Sequence, residues 1–106
     1  MATKQKFHSF DQVLSSTPVP VLVDFYATWC GPCQMMAEIL SQVNDQLKGQ
    51  IKIIKIDTDK YPQIASQHGV AALPTLVLFK GGRPVDRIEG VLPTDQLVSR
   101  LRPHLA

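Results

Sequence analysis

Residues Val21 to Ala27 are apolar at every position except Asp24, the pattern of a strand buried on both faces of a parallel sheet. From Cys33 the period lengthens. Met36, Ile39, Leu40, Val43 and Leu47 fall at i, i+3, i+4, i+7 and i+11, one face of a helix that Gly49 can end. Ile51 to Ile56 is again β-branched, with Lys52 and Lys55 as its polar members, and reads as a second strand. A helix follows, with Pro62 in its first turn and Gly69 after its last. Thr75 to Lys80 is a strand, and Gly81-Gly82 turns the chain into a partner strand from Val85 to Glu89. Pro93 can start a last helix whose Leu97, Val98 and Leu101 face inward.

Upstream of Val21, Ser9-Phe10-Asp11-Gln12 has the form of a capping box and predicts a short helix to about Leu14. Thr17-Pro18-Val19-Pro20 stops it. A further strand is expected within Lys4 to Phe7. Alternating strands and helices, then a hairpin and a final helix, predict an α/β fold: a central mixed sheet with helices on both faces. No repeat or linker divides the chain, so residues 1–106 are expected to form one domain.

Composition narrows the function classes. Hydrophobic residues make up 44% and charged residues 19%, a globular balance. A chain of 106 residues buries about two-thirds of its unfolded surface and folds without a staple. A net charge of +2, scattered along the chain, gives no electrostatic grip on nucleic acid. The longest apolar run, Val70 to Phe79, is broken by Pro74 and Thr75 and falls short of a membrane span. Met1-Ala2-Thr3-Lys4-Gln5-Lys6 lacks the apolar core of a signal peptide. A soluble cytoplasmic monomer that binds neither membrane nor nucleic acid is the expectation.

Cys30 and Cys33 are the only two cysteines. They are too few for a disulfide framework or for a structural zinc site. His8, His68 and His104 sit in polar stretches at no finger-like spacing and read as solvated surface, so no metal is expected. Arg100, Arg102 and His104 suit the C-terminal end of the last helix dipole.

The chemistry lies in Tyr26-Ala27-Thr28-Trp29-Cys30-Gly31-Pro32-Cys33, where a buried strand ends and a helix begins. Unpaired backbone N–H groups and the helix dipole there stabilise a thiolate. Cys30, before the helix, is expected to be the reactive, partly exposed thiol. Cys33, one turn on, points back toward it and is expected to be more buried, and the spacing allows a disulfide between them. Pro32 fits the first helical turn and stiffens it. Trp29 offers an apolar surface beside the sulfur for an unfolded or loop-like protein substrate. A Cys-x-x-Cys in this strand–helix context reads as a redox motif.

These residues resemble the thioredoxin family: Trp-Cys-Gly-Pro-Cys at 29–33, Val-Asp-Phe-Tyr-Ala at 23–27, Leu-Pro-Thr at 73–75 and Gly-Val-Leu-Pro at 90–93. The resemblance covers Phe7 to Leu105. Tyr-Ala-Thr-Trp-Cys-Gly-Pro-Cys-Gln, Ile-Asp-Thr-Asp-Lys-Tyr-Pro and Asp-Arg-Ile-Glu-Gly are similar to the y-type thioredoxins of plastids and their cyanobacterial relatives. The resemblance implies a thioredoxin fold with a mixed five-stranded sheet flanked by four helices. It implies a thiol–disulfide oxidoreductase without a cofactor, with Cys30 as nucleophile, Cys33 as resolving cysteine and a Cys30–Cys33 redox disulfide.

By the same resemblance Asp24 is a buried acid behind the cysteines, with Lys55 beside it. Pro74 matches a cis-proline that meets the disulfide. Trp29, Gly31, Pro32, Ala72, Leu73, Gly90 and Val91 form the surface that meets a target, although Leu73 and Val91 also read as core packing. The implied partners are disulfide-containing proteins, peroxiredoxins and other antioxidant enzymes among them, and a ferredoxin- or NADPH-dependent thioredoxin reductase. In a processed plant protein the compartment would be the plastid stroma. The chain departs from the family pattern at Glu38, where a helix-kinking proline is usual, at Gln34, usually basic, and at Tyr26, often tryptophan. Two alternatives compete. An oxidising or isomerising enzyme of secreted proteins calls for export and a less reducing inner pair than Gly31-Pro32. A redox-independent interaction module would tolerate loss of both cysteines.

Overall fold

The computed structural model describes residues 10–105. A helix, α1, covers residues 10–16. It is followed by β1 (Val21–Tyr26), α2 (Gly31–Gln46), β2 (Lys52–Asp57), α3 (Pro62–Gln67), β3 (Thr75–Lys80), β4 (Arg83–Glu89) and α4 (Thr94–Leu101), with a 3₁₀ turn at Arg102–His104. Among the described residues the sheet has four strands in the order β2-β1-β3-β4, flanked by four helices, where five strands and four helices were expected. The fifth strand expected within Lys4 to Phe7, like Ser9 of the capping box and His8, lies outside the described residues.

β1 pairs parallel with β2 and antiparallel with β3, and β3 pairs antiparallel with β4. The parallel pair requires a crossover, and the amphipathic α2 supplies it. With neighbours on both edges and helices on both faces, β1 buries Val21 through Phe25 completely or nearly so, as its unbroken apolar run predicted. One face carries Leu22, Leu76 and Leu78 against Met36, Leu40, Val43 and Leu47 of α2 and Leu97 and Leu101 of α4. The other carries Val23, Phe25, Val77 and Phe79 against Phe10, Leu14, Ile64 and Ala65 of α1 and α3.

β2 runs one residue later than expected, because its parallel register aligns Val21 with Lys52 and Tyr26 with Asp57. β4 starts two residues earlier, at Arg83. Its outer side has no partner strand among the described residues, so Pro84 withdraws no hydrogen bond from a neighbour there. α2 is one continuous helix through Glu38, consistent with the absence of a proline there.

One histidine corrects the sequence reading. His68 is half-buried, its ring 5.9, 5.9 and 5.4 Å from the rings of Phe10, Phe25 and Phe79. Its neighbours in sequence are polar, but the turn after α3 drops the side chain onto the aromatic face of the sheet. Burial lowers its pKa, with Asp11 opposing and Arg87 adding to the fall. His104 is half-buried as well. Arg100 is not a helix-end cation alone: it holds Asp86 of β4 with two 2.9 Å hydrogen bonds.

Candidate functional site

The site forms where β1 delivers the chain to the start of α2. Cys30 is extended (φ −89°, ψ 110°) and caps α2, with the Cys33 N–H donating to its Sγ at 3.2 Å. Pro32 sits in the first turn, where a missing N–H costs nothing. Cys30 and Cys33 are joined as a disulfide, their Cα atoms 5.3 Å apart. Both are buried, at 5% and 4% exposure. Cys30 is therefore not the partly exposed residue that its position before the helix suggested. Ala27 and the two cysteines form a small cluster packed on Tyr26 and Leu73, which shields both sulfurs alike.

The difference between the two sulfurs lies in where they open. Cys30 lines a groove of about 450 Å³ with Trp29, Gly31, Pro32, Thr58, Ala65, Val70, Ala71 and Leu73. Cys33 lines a separate open pocket of about 230 Å³ with Asp24, Gln34 and Lys55. Cys30 thus adjoins the groove beside Trp29, and Cys33 adjoins the pocket that holds the Asp24 carboxylate and the Lys55 ammonium.

Asp24 is 1% exposed, and both its carboxylate oxygens are buried without a hydrogen-bond partner among the described residues. Its place in the central strand, opposite Lys55 on β2 and Leu76 on β3, causes this. Desolvation raises its pKa from 3.8 to about 6, and the Lys55 ammonium opposes the rise. The Lys55 ammonium also lies 5.7 Å from the centroid of the Tyr26 ring, within cation–π range.

Around the groove, Trp29 is 71% exposed, and its indole N–H donates to Asp59 at 2.9 Å. An apolar ring is thus held upright in solvent beside Cys30. The Leu73–Pro74 peptide bond is cis, and the Pro74 carbonyl accepts from the Gly90 N–H at 2.9 Å. That bond brings the Gly90-Val91 loop beside the Leu73-Pro74 turn. Leu73 and Val91 are half-buried and pack on the core from one side, leaving part of each side chain at the surface. Among the described residues no group of three or more His, Cys, Asp or Glu side chains is placed to hold a metal ion, and no helix is long and apolar enough to cross a membrane.

The thioredoxin family model matches residues 2–103. The chain belongs to the thioredoxin family. It is 60% identical over 102 residues to the thioredoxin-like protein slr0233 of Synechocystis, covering 96% of this chain and 97% of that protein. It is 55% identical over 104 residues to chloroplastic thioredoxin Y2 of Arabidopsis thaliana, covering 98% of this chain but only 62% of the plant protein's length. Among solved structures, chloroplastic thioredoxin z superposes with a TM-score of 0.82 at 35% identity, over 91% of this chain and 87% of the other. A mutant thioredoxin of Halobacterium salinarum gives 0.84 at 35% identity, over 93% and 85%.

This thioredoxin carries the redox pair of a thiol–disulfide oxidoreductase. Of the residues expected to meet a target, Trp29, Gly31, Pro32 and Leu73 line the groove together. Ala72, Pro74, Gly90 and Val91 lie outside its lining and join it through the Leu73-Pro74 turn. Sequence reasoning missed Thr58, Ala65, Val70 and Ala71, all on the groove wall, and the indole anchor Asp59. Thr58, Asp59, Val70 and Ala71 lie outside the helices and strands, where no periodic signal exists, and Ala65 reads as one more small buried residue of α3.

Proposed function

We propose that this thioredoxin reduces disulfides in other proteins, with Cys30 as the attacking and Cys33 as the resolving cysteine. The observation that carries the assignment of roles is the opening of the two sulfurs onto different spaces: Cys30 onto the outer groove, Cys33 onto the chamber of Asp24. In the reduced protein the Cys30 thiolate, facing the Cys33 N–H, attacks one sulfur of a target disulfide. The target S–S bond breaks, a target thiolate leaves, and a Cys30–target mixed disulfide forms. Cys33 gives its proton to the Asp24 carboxylate, directly or through water, and attacks the Cys30 sulfur. The second target thiolate leaves, the Cys30–Cys33 disulfide closes, and two electrons have passed to the target.

Trp29, Gly31, Pro32 and Leu73, with Ala72, Pro74, Gly90 and Val91 at the margin, form the surface against which a segment of the target docks. Lys55 moderates the charge of Asp24. A reductase partner, ferredoxin- or NADPH-dependent, returns the disulfide to the dithiol. Peroxiredoxins and other antioxidant enzymes are the targets we assign, on the similarity to y-type thioredoxins. The plastid and cyanobacterial relatives support a stromal or cytoplasmic setting.

Reduction of insulin by dithiothreitol, followed as turbidity, tests the reading. The wild type is expected to accelerate it and the Cys30→Ser variant to leave the uncatalysed rate unchanged. No acceleration by the wild type would overturn the proposal.

A further inference from the structure

The loop between α3 and β3 carries Val70, Ala71 and Leu73 of the groove wall, and both its ends are tied to β4. At the downstream end the Gly90 N–H, just past β4, donates to the Pro74 carbonyl at 2.9 Å. At the upstream end Arg87 reaches across from β4 to the turn that ends α3. Its two terminal nitrogens donate to successive carbonyls, Nη1 to His68 at 2.7 Å and Nη2 to Gly69 at 2.6 Å.

Carbonyls at a helix end have no partner within the helix and carry partial negative charge. α3 has no basic residue in its own last turn, so the cation comes from the neighbouring strand. A guanidinium suits this place because its planar fork meets two acceptors at once, which an ammonium does not.

Arg87 is itself held. It lies opposite Val77 in the β3–β4 register, and its own carbonyl accepts from Arg100 of α4 at 3.1 Å, while Arg100 also grips the adjacent Asp86. The chain from α4 through β4 to the end of α3 is therefore continuous. Between the two ties only residues 70–73 span from α3 to Pro74. Arg87 lines neither the groove nor the Asp24 pocket, so it stands apart from both cysteines.

We infer that Arg87 is a positioning residue for target recognition: by clamping the His68 and Gly69 carbonyls it sets the 70–73 loop against the groove, and so governs the affinity for protein disulfides without altering the thiol chemistry. The inference rests on the proposed disulfide-reductase activity.

The test compares two oxidants of the reduced protein in single-turnover experiments: insulin, a folded protein disulfide, and dithiobis(nitrobenzoic acid), a small disulfide that reaches Cys30 without spanning the loop. Trp29, the one tryptophan of the chain, adjoins Cys30 and reports oxidation by its fluorescence. For Arg87→Ala the half-saturating insulin concentration is expected to rise about fivefold, the scale of a lost exposed charge-assisted hydrogen-bond pair. The limiting rate, and the rate with the small disulfide, stay within about twofold of wild type because the reacting groups are untouched. Arg87→Lys should fall between the two, since its ammonium supplies charge without the fork.

Unchanged half-saturation in Arg87→Ala would overturn the inference. So would an equal loss with both oxidants, which would mean general damage to the site, or full wild-type behaviour of Arg87→Lys, which would remove the two-carbonyl clamp. Should Arg87→Ala fail to fold, Arg87→Lys carries the same comparison. Failure of the wild type to react with insulin would count instead against the reductase reading.

Discussion

Replacing Asp24 with asparagine should stabilise this thioredoxin at alkaline pH while slowing its chemistry. Asp24 is 1% exposed with neither oxygen hydrogen-bonded among the described residues, and its pKa rises from 3.8 to about 6 on folding. A group with a raised folded-state pKa binds its proton more tightly in the native state. Its contribution to stability is full below the unfolded pKa and is lost as pH rises through the folded one. The window runs from 3.8 to about 6, and by pH 8 the loss is complete. At 1.36 kcal/mol per pKa unit, the ionised carboxylate then costs the native state about 3 kcal/mol. Asparagine has nearly the same shape and no charge to desolvate.

Asp24→Asn should therefore exceed wild type by about 3 kcal/mol at pH 8, which in a domain of this size raises the melting temperature by roughly 10–20 °C. The difference should shrink toward zero as pH falls through 3.8, the unfolded value, below which the wild-type carboxyl becomes protonated in both states. Urea melts of the oxidised proteins at pH 8, 6 and 4, fitted with a common slope, measure it. The second half of the prediction is kinetic. Without a carboxylate in the chamber beside Cys33, resolution of the mixed disulfide should slow about tenfold or more at neutral pH, within the range of a lost general base. A variant no more stable than wild type at pH 8, or a stability gain that does not change with pH, would refute the argument from desolvation. An undiminished resolution rate would refute the base.

Two further outcomes are expected. Cys33→Ser should accumulate a mixed disulfide with targets, and Cys30→Ser should not, because only Cys30 opens on the outer groove; equal capture on a non-reducing gel would contradict the assigned roles. Gly82→Ala should destabilise more than Gly81→Ala in denaturant melts. Both glycines have positive φ, at 83° and 61°, which costs a residue with a Cβ about 1 kcal/mol. Only at Gly82 would the Cβ also meet another segment, 3.2 Å from the Cα of Ser15, adding about 1 kcal/mol or more of overpacking; equal losses would show that the last turn of α1 yields freely.

Much of the architecture was legible along the chain because it rests on short-range periodicity. The unbroken apolar run of β1 announced a strand covered on both faces, and the stripe Met36, Leu40, Val43, Leu47 defined the buried side of α2. β3 occupies Thr75–Lys80 as expected, since it is a central strand bounded by a proline and a glycine pair. The same logic placed Asp24 in the core and the two cysteines at a strand–helix junction. Residues with no periodic partner were not legible. His68 looked solvated among polar neighbours, yet three phenylalanines from α1, β1 and β3 meet at its ring. Arg100 read only as a helix-end cation and Arg87 drew no reading of its own, yet they tie α4 and α3 to β4.

The sequence by itself determined which segments are strands and helices, which sides they bury and which two atoms carry the redox chemistry, because those follow from residue types at fixed local spacing. Tertiary structure alone decided that the two cysteines are about equally buried but line different pockets. It also assembled the groove wall from Thr58, Ala65, Val70 and Ala71. Those features depend on the register of β1 with β2 and on the path of the loop between α3 and β3. Register and loop path are set by contacts between residues tens of positions apart, which local spacing does not encode.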